Sequence, residues 1–538
     1  MQPEIMGNWP ELNEQPILTL DLKKRNWRYR GEGNANLVLA LPDECLVLRF
    51  HKYDREKTFS ERERIEEFER ALQEALFCHT VMVPLIGRAY IRPPKLAIID
   101  QSELQSLENI LDQYQPAHRR HKGIKFGNVA IYPDYTMLPQ QSEKIVQDVI
   151  NMNDVLRSEV TCEDQSLLNN SLFRTTKKIK LHRIVVSDAS APSNENELTL
   201  QEHFDIPLSG LGVISFKRSK LNQTKSSTFC VEIKPKQGWI PYVDRSKPKC
   251  TYCLTQYLKL TEGNIDQISE YCPLDLFSGD VKRMRKAIKA LLMQPQNNLK
   301  IFKDGDLIYS DSVQTDLTNI LKEMFQETSS ILHLENFDRA MEKFSDLVHQ
   351  VLTSDGTDGD AGLQVEDLDG TAIPNLATDP LITTQEAADA GLSCKWSSLP
   401  LPENCVLDRI LKIQQLQQFG IEDVYGMYRN IGPAPHDYAY VKSLCNQREP
   451  KKLILNPIQR YLLATTAKDC SILIAFRQLS NDDSYCVADK ILTDSDGHRF
   501  VWNVGVSDLD PKPISCIEKH WKRNTNVLSA YNRYVKSM

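Results

Sequence analysis

The stretch GEGNANLVLALPDECLVLRFHK, residues 31–52, reads as a glycine-rich turn feeding two apolar strands. Gly31 to Leu41 forms the first tract and Cys45 to Lys52 the second. Pro42-Asp43-Glu44 supplies the turn between them. Glycine backbones can approach a phosphate closely, and successive amides can point at its oxygens. Read alone, the turn also fits a plain hairpin. No Gly-Lys-Ser/Thr follows, which excludes a Walker A loop. A strand rather than a helix comes next, which excludes a dinucleotide fingerprint.

Outward from this hairpin, Asn26–Tyr29 is a short extended segment. Downstream, Ser60 with Glu63 predicts a capping box at a helix start. Ile65, Phe68, Leu72 and Leu76 recur at helical spacing and are expected to form its buried stripe. Phe126–Tyr132 reads as another strand, ending at Pro133-Asp134. The polar tracts Ser187–Glu197 and Lys217–Ser227 mark residues 140–227 as a loosely ordered insertion. A strand resumes at Phe229–Trp239. Helical patterns follow at Asp280–Met293, with Asp280 as N-cap, at Val313–Phe325 and at Phe337–Leu352. The acidic, glycine-rich Ser354–Gly370 reads as a disordered loop. Short helices at Asp408–Phe419 and Asp423–Arg429, strands at Cys470–Phe476 and Phe500–Val506, and a helix from Ile517 complete the chain. Strands first, helices later and a late strand pair predict an α+β fold in two lobes, residues 1–139 and 228–538.

The chain has 538 residues, with 65 Lys and Arg against 72 Asp and Glu, so its net charge is −7. That balance excludes a wholly basic nucleic-acid binder but leaves room for a local basic pocket. Hydrophobic residues at 41% and charged residues at 25% allow a real core and exclude a disordered polyelectrolyte. No run approaches the ~18 apolar residues of a membrane helix, and residues 1–15 lack the apolar core of a signal peptide. Thirteen scattered cysteines read as reduced thiols, hence an intracellular location, cytoplasmic with the nucleus left open. A monomer is expected.

Several residues carry chemistry. Arg49 is a cation within an apolar strand, set either to meet nucleotide phosphates or to reach outward from an edge. In EIKPKQG (Glu232–Gly238), Pro235 must end a regular strand. The period-2 rule puts Lys234 and Lys236 on one face, where two cations suit a polyanion; a solvated strand end is the alternative. Lys259 and PQNN (Pro295–Asn298) follow, the Asn pair also fitting a helix cap. Asp469 stands before an apolar strand, and Asp508 and Asp510 stand after one, followed by Lys512-Pro513. Phosphotransferases place a general base or a Mg2+ ligand at such strand ends, and Asp is also common there for turn chemistry. Cys250 and Cys253, with Cys272 nearby, invite a zinc reading, but no histidine completes a four-ligand spacing, so free thiols are expected rather than zinc.

Taken in order, GEGNANLVL, EIKPKQGW, PLDLFSGD (Pro273–Asp280) with PQNN, TAKDCSILI (Thr466–Ile474) and DLDPKP (Asp508–Pro513) resemble the inositol-pentakisphosphate 2-kinase family. The resemblance implies a protein-kinase-like fold with an enlarged C-lobe. It implies transfer of the γ-phosphoryl of ATP to the 2-hydroxyl of inositol pentakisphosphate, giving inositol hexakisphosphate. It puts Gly31, Glu32, Gly33, Asn34, Ala35 and Asn36 over the ATP phosphates, with Arg49 in place of the strand lysine. Pro133 and Asp134 fall in the adenine hinge. Asp469 becomes the base, Asp508 the Mg2+ ligand and Lys234 a contact near the transfer site. Lys236, Lys259, Asn297, Lys512 and His520 would grip inositol phosphate, together with Arg119 or Arg120. The expected cofactors are ATP and Mg2+. No nucleic-acid or membrane partner is expected. Two alternatives share these features: an inositol polyphosphate kinase of another position specificity, and a non-catalytic inositol phosphate sensor. The absence of His-Arg-Asp, Asp-Phe-Gly and Ala-Pro-Glu motifs disfavours a protein kinase.

Overall fold

The computed structural model describes residues 17–138, 201–208, 212–219, 226–313, 315–325, 334–356, 364–366, 399–431, 437–447, 452–479 and 490–537. Its first sheet is built from β1 (Leu18–Leu20), β2 (Arg28–Glu32), β3 (Asn36–Leu41), β4 (Leu46–Asp54), β5 (Lys95–Ile99), β6 (Lys122–Ile124) and β7 (Asn128–Pro133). The spatial order is β1-β5-β7-β4-β3-β2, with β6 pairing β4. Residues 31–52 supply the antiparallel β3–β4 pair that the alternation of apolar residues predicts.

Side-chain alternation along β4 sorts its residues between two faces. Leu48 and Phe50 are buried on one face, with Leu37, Leu39 and Leu41 of β3. Leu104, Leu107 and Leu111 of helix α2 (Gln101–Leu111) complete that cluster, so α2 follows after α1 (Glu61–Phe77) in the chain and covers this side. The opposite face of β4 carries Arg49 and His51. His51 sits between Glu67 (2.8 Å) and Glu74 (2.9 Å) of α1. The Ser60–Glu63 capping box forms as predicted. The buried face of α1 is rotated from the expected stripe: Glu67, Ala71, Ala75 and Leu76 are buried, while Ile65, Phe68 and Leu72 are only partly so. The need to meet His51 turns the acids inward, which a hydrophobic pattern alone does not encode.

The second sheet is antiparallel, in the order β12-β11-β10-β15-β17-β16. Its strands are β10 (Phe229–Ile233), β11 (Leu299–Lys303), β12 (Asp306–Tyr309), β15 (Ser471–Gln478), β16 (Ile491–Thr493) and β17 (Arg499–Ser507). A separate parallel pair joins β13 (Gln364–Glu366) and β14 (Lys452–Ile454). All five residues of β10 are buried, as a central strand requires. Helices α3 (Thr251–Thr261), α4 (Val281–Met293), α5 (Leu317–Met324), α6 (Leu334–Leu352), α7 (Val406–Gln414), α8 (Ile421–Arg429), α9 (Ala439–Cys445), α10 (Pro457–Asp469) and α11 (Cys516–Ser537) accompany this sheet. The architecture is mixed α+β. Asp280 caps α4, and Met284, Ile288 and Leu291 are its buried face, although Val281 is exposed.

Residues 139–226 form their own compact unit. Within it, β8 (Gln201–Leu208) and β9 (Gly212–Ser219) make an antiparallel hairpin, where the polar composition predicts loose order. The alternating FDIP and VISF segments are the signal for it. Both polar tracts used to predict disorder lie wholly or partly outside the described residues, as does most of Ser354–Gly370.

Candidate active site

Four chain segments converge at one end of the second sheet. After β10 the backbone passes Pro235 and enters the left-handed region at Lys236 (φ 61°), so the two lysines leave the strand through a turn rather than sharing a pleated face. Lys234 Nζ donates to Asp508 Oδ2 at 2.8 Å. Lys236 Nζ lies 3.5 Å from Asp469 Oδ1, and Lys512 Nζ donates to Asp469 Oδ2 at 2.6 Å. Asp469 is the last residue of α10, not a strand residue, and Asp508 directly follows β17 at φ 60°. Asp tolerates that conformation better than most side chains.

Sequence reasoning left α10 out, although Asn456 caps it in a capping box with Gln459 and Pro457 stands at its start. Asp510, noted only as a neighbour of Asp508, takes the fork of Arg49: Nη1 donates to Oδ1 at 2.9 Å and Nη2 to Oδ2. The bidentate pair ties the first sheet to the segment after β17. Arg49 therefore points inward. Two more links join the sheets: Val506 N donates to Tyr90 O at 2.9 Å, and the Tyr135 ring packs where a side chain on Gly505 would stand.

The electrostatics separate two acids from a surplus of cations. Burial works to raise both carboxyl pKa values. Lys512, Lys236 and Lys234 outweigh it at Asp469, which sits below the ordinary value. Lys234, Arg49 and the Ser471 hydroxyl hold Asp508 well below it. Both acids stay reachable, with 54% and 41% of their side-chain surface open. Burial and repulsion also lower the pKa values of several basic groups, in their case toward the neutral form. Lys236 is lowered by burial and by Lys234 and Lys259, against the pull of Asp469. Lys259, on α3, is lowered by burial and Arg523. His520, on α11, is pushed down to about 4 by burial and by Lys468, Lys519, Arg523 and Lys512. Lysines thus crowd around two open carboxylates, each lowering the pKa of its neighbours.

A model of the family described as inositol-pentakisphosphate 2-kinase matches residues 29–526. The chain belongs to the inositol-pentakisphosphate 2-kinase family. A zebrafish (Danio rerio) protein named inositol-pentakisphosphate 2-kinase is 25% identical over 96% of this chain and 95% of its own length. An Arabidopsis thaliana protein of the same name is 25% identical over 95% and 94%. One from Drosophila melanogaster is 27% identical over 57% of this chain and 53% of its own. A kinase family implies ATP and a divalent metal.

In this member of the family, the other expected site residues have mixed surroundings. In Gly31–Asn36, Gly33 N donates to Asn36 O at 2.8 Å, closing the turn. Glu32 forms a fully buried pair with Lys52, and Ala35 O accepts from Lys52 N. Lys122 Nζ donates to Asn34 O at 3.1 Å. Arg119 donates to Glu32 O, and Arg120 Nε donates to Gln115 O, so both are bonded within the first sheet's own surroundings. Asp134 is buried: its amide donates to Cys45 O, its carbonyl accepts from Met137 N, and its carboxylate accepts from Arg30 and Thr136. Pro133 pairs with Leu46 at the end of β7. Asn297 is exposed at φ 61°, while the neighbouring Asn298 is buried and bonds Tyr252. His520 Nδ1 lies 2.9 Å from the Tyr461 hydroxyl.

Cys250, Cys253 and Cys272 converge, their donor atoms all within 4.8 Å of one another. Among the described residues no fourth donor joins them, one short of a closed tetrahedral zinc site. No described helix is long and apolar enough to cross a membrane.

Proposed function

We propose that this chain transfers the γ-phosphoryl group of ATP to the 2-hydroxyl of inositol 1,3,4,5,6-pentakisphosphate, yielding inositol hexakisphosphate. The observation that carries the reading is Asp469 flanked by Lys236 and Lys512, beside Asp508 held by Lys234. Five phosphomonoesters carry roughly −7.5 to −10 at neutral pH, which matches a site rich in competing cations. The first sheet with α1 and α2 acts as the small lobe of a protein-kinase-like fold. The second sheet and its helices act as the large one.

In this reading Asp469 accepts the proton of the attacking hydroxyl. Before substrate binds, its oxygens engage Lys236 and Lys512. As the phosphates arrive, those ammonium groups turn to them, which frees the carboxylate and raises its basicity at the moment it is needed. Asp508, an ionised hard oxygen donor, suits Mg2+. A divalent metal held there would supply screening of the phosphate charge. Lys234 meets the transferring phosphoryl group, and Arg49 with the Gly31–Asn36 turn meets the remaining ATP phosphates. Lys259, Asn297, His520 and Arg119 or Arg120 complete the substrate surround, and the Pro133–Asp134 segment borders adenine. An intracellular, reducing location suits Cys250, Cys253 and Cys272, which form no disulfide.

The test is a kinase assay with separate inositol pentakisphosphate isomers and ATP, the product position being read by NMR. Conversion of the isomer with a free 2-hydroxyl is expected. Phosphorylation at another position, or none with any isomer, overturns the proposal.

A further inference from the structure

The turn that carries Lys236 is clamped by one buried amide with no part in the chemistry above. Gln414, the last residue of α7, is fully buried. Its Oε1 accepts from Gly238 N at 2.7 Å, and its Nε2 donates to Lys236 O at 2.9 Å and to Ala467 O at 3.3 Å. Ala467 lies in the last turn of α10, two residues before Asp469. One side chain thus joins the backbone under the substrate lysine to the backbone under the base. Around it the turn has little freedom. Tyr271, also fully buried, donates to Pro235 O at 2.7 Å, and a side chain on Gly238 would run into the ring of Phe277.

Only a neutral amide of this length fits the three partners. Two carbonyls need donors and one N–H needs an acceptor. A carboxylate would face both carbonyls without a hydrogen to give, and a thioether would leave all three groups unpaired in the interior. Lys236 sits in a left-handed conformation that a lysine rarely adopts, so the turn persists only while its surroundings over-determine it.

We infer that Gln414 is a positioning residue for the transfer reaction, fixing through one amide the placement of Lys236 relative to Asp469. The inference rests on the proposed roles of those two residues.

The test uses the full chain carrying Gln414→Met and, separately, the near-isosteric Gln414→Glu. KM for inositol pentakisphosphate should rise about tenfold and kcat fall about tenfold, with KM for ATP unchanged. The acid limb of the kcat/KM profile, which reports the free enzyme, should move to higher pH, since a displaced Lys236 no longer faces the Asp469 carboxylate. The shift is partial, because Lys512 still faces it and Lys234 lies nearby. A purely structural role would lower Tm and the active fraction without moving KM or the pH limb, and that outcome overturns the inference. Should neither variant fold, Tyr271→Phe removes a single hydrogen bond from the same turn. A smaller shift in the same direction then supports the clamp, and unchanged kinetics overturn it. Asp469→Ala separates the two readings. If it is fully active, the base assignment fails. If it is inactive while Gln414→Met behaves as wild type, only the present inference fails.

Discussion

Lys234 Nζ and Asp508 Oδ2 meet at 2.8 Å across 274 positions of sequence. The pair fixes an anionic carboxylate next to a cation whose own pKa is raised: burial opposes its charge, and Asp508 and Glu232 more than restore it. The two groups therefore stay charged together throughout the neutral range.

Asp508→Asn should keep the fold, because asparagine tolerates the same left-handed backbone (φ 60°) and can still accept from Ser471. Turnover should drop about 10²-fold or more, the scale of losing one preorganised electrostatic group. Steady-state rates across a Mg2+ titration check this. Near wild-type turnover at ordinary Mg2+ would remove Asp508 from the metal role.

Asp469→Ala should lower kcat by roughly 10² to 10⁴, the usual range for a lost general base. Binding of both substrates should survive, since the carboxylate faces lysines rather than phosphate. Calorimetry reports affinity and single-turnover kinetics the chemical step. Weak binding with a normal rate at saturation would make Asp469 structural instead.

Losing Lys236 should raise KM for the inositol phosphate roughly 10- to 100-fold, the worth of a charge-assisted hydrogen bond of about 1.5–3 kcal/mol. KM for ATP should move little. An equal rise for both substrates would contradict a role confined to the inositol phosphate.

His51 gives a stability prediction with a definite sign. Burial opposes its charge, but Glu67 and Glu74 raise its pKa to about 9 from an ordinary 6.5. Its contribution is therefore full below about pH 6.5 and is lost as pH rises through about 9. Tm should fall between pH 7 and 9.5 in the natural chain, and His51→Gln should flatten that slope. Parallel slopes in the two proteins would refute the assignment.

What the sequence discloses about this site is local. Pro235 between two lysines foretells the strand end, and observed β10 stops at Ile233. The apolar alternation of residues 36–54 foretells β3 and β4. The β11–β12 hairpin went unread, although its Asp304-Gly305 turn, both at positive φ, is a strong hairpin signal. The long-range pairings have no local signature. Arg49 and Asp510 stand 461 positions apart, and Gln414 looks like any polar residue at a helix end. Only the packed chain tells that amide apart from a solvated one.

The placement of β10 also bears on how the protein is made. Glu232 and its partner Ser471 are 239 positions apart, and β10 needs β15 on one side. At ~5–20 residues per second of translation, that partner emerges roughly 10–50 s later. In that interval β11 can cover one edge of a strand that is buried throughout in the folded chain, and the other edge waits on the ribosome-bound chain. Yield in the cell should therefore depend on holdase chaperones. Neither nucleotide nor inositol phosphate can relieve that dependence, because Asp508 is synthesised after both strands.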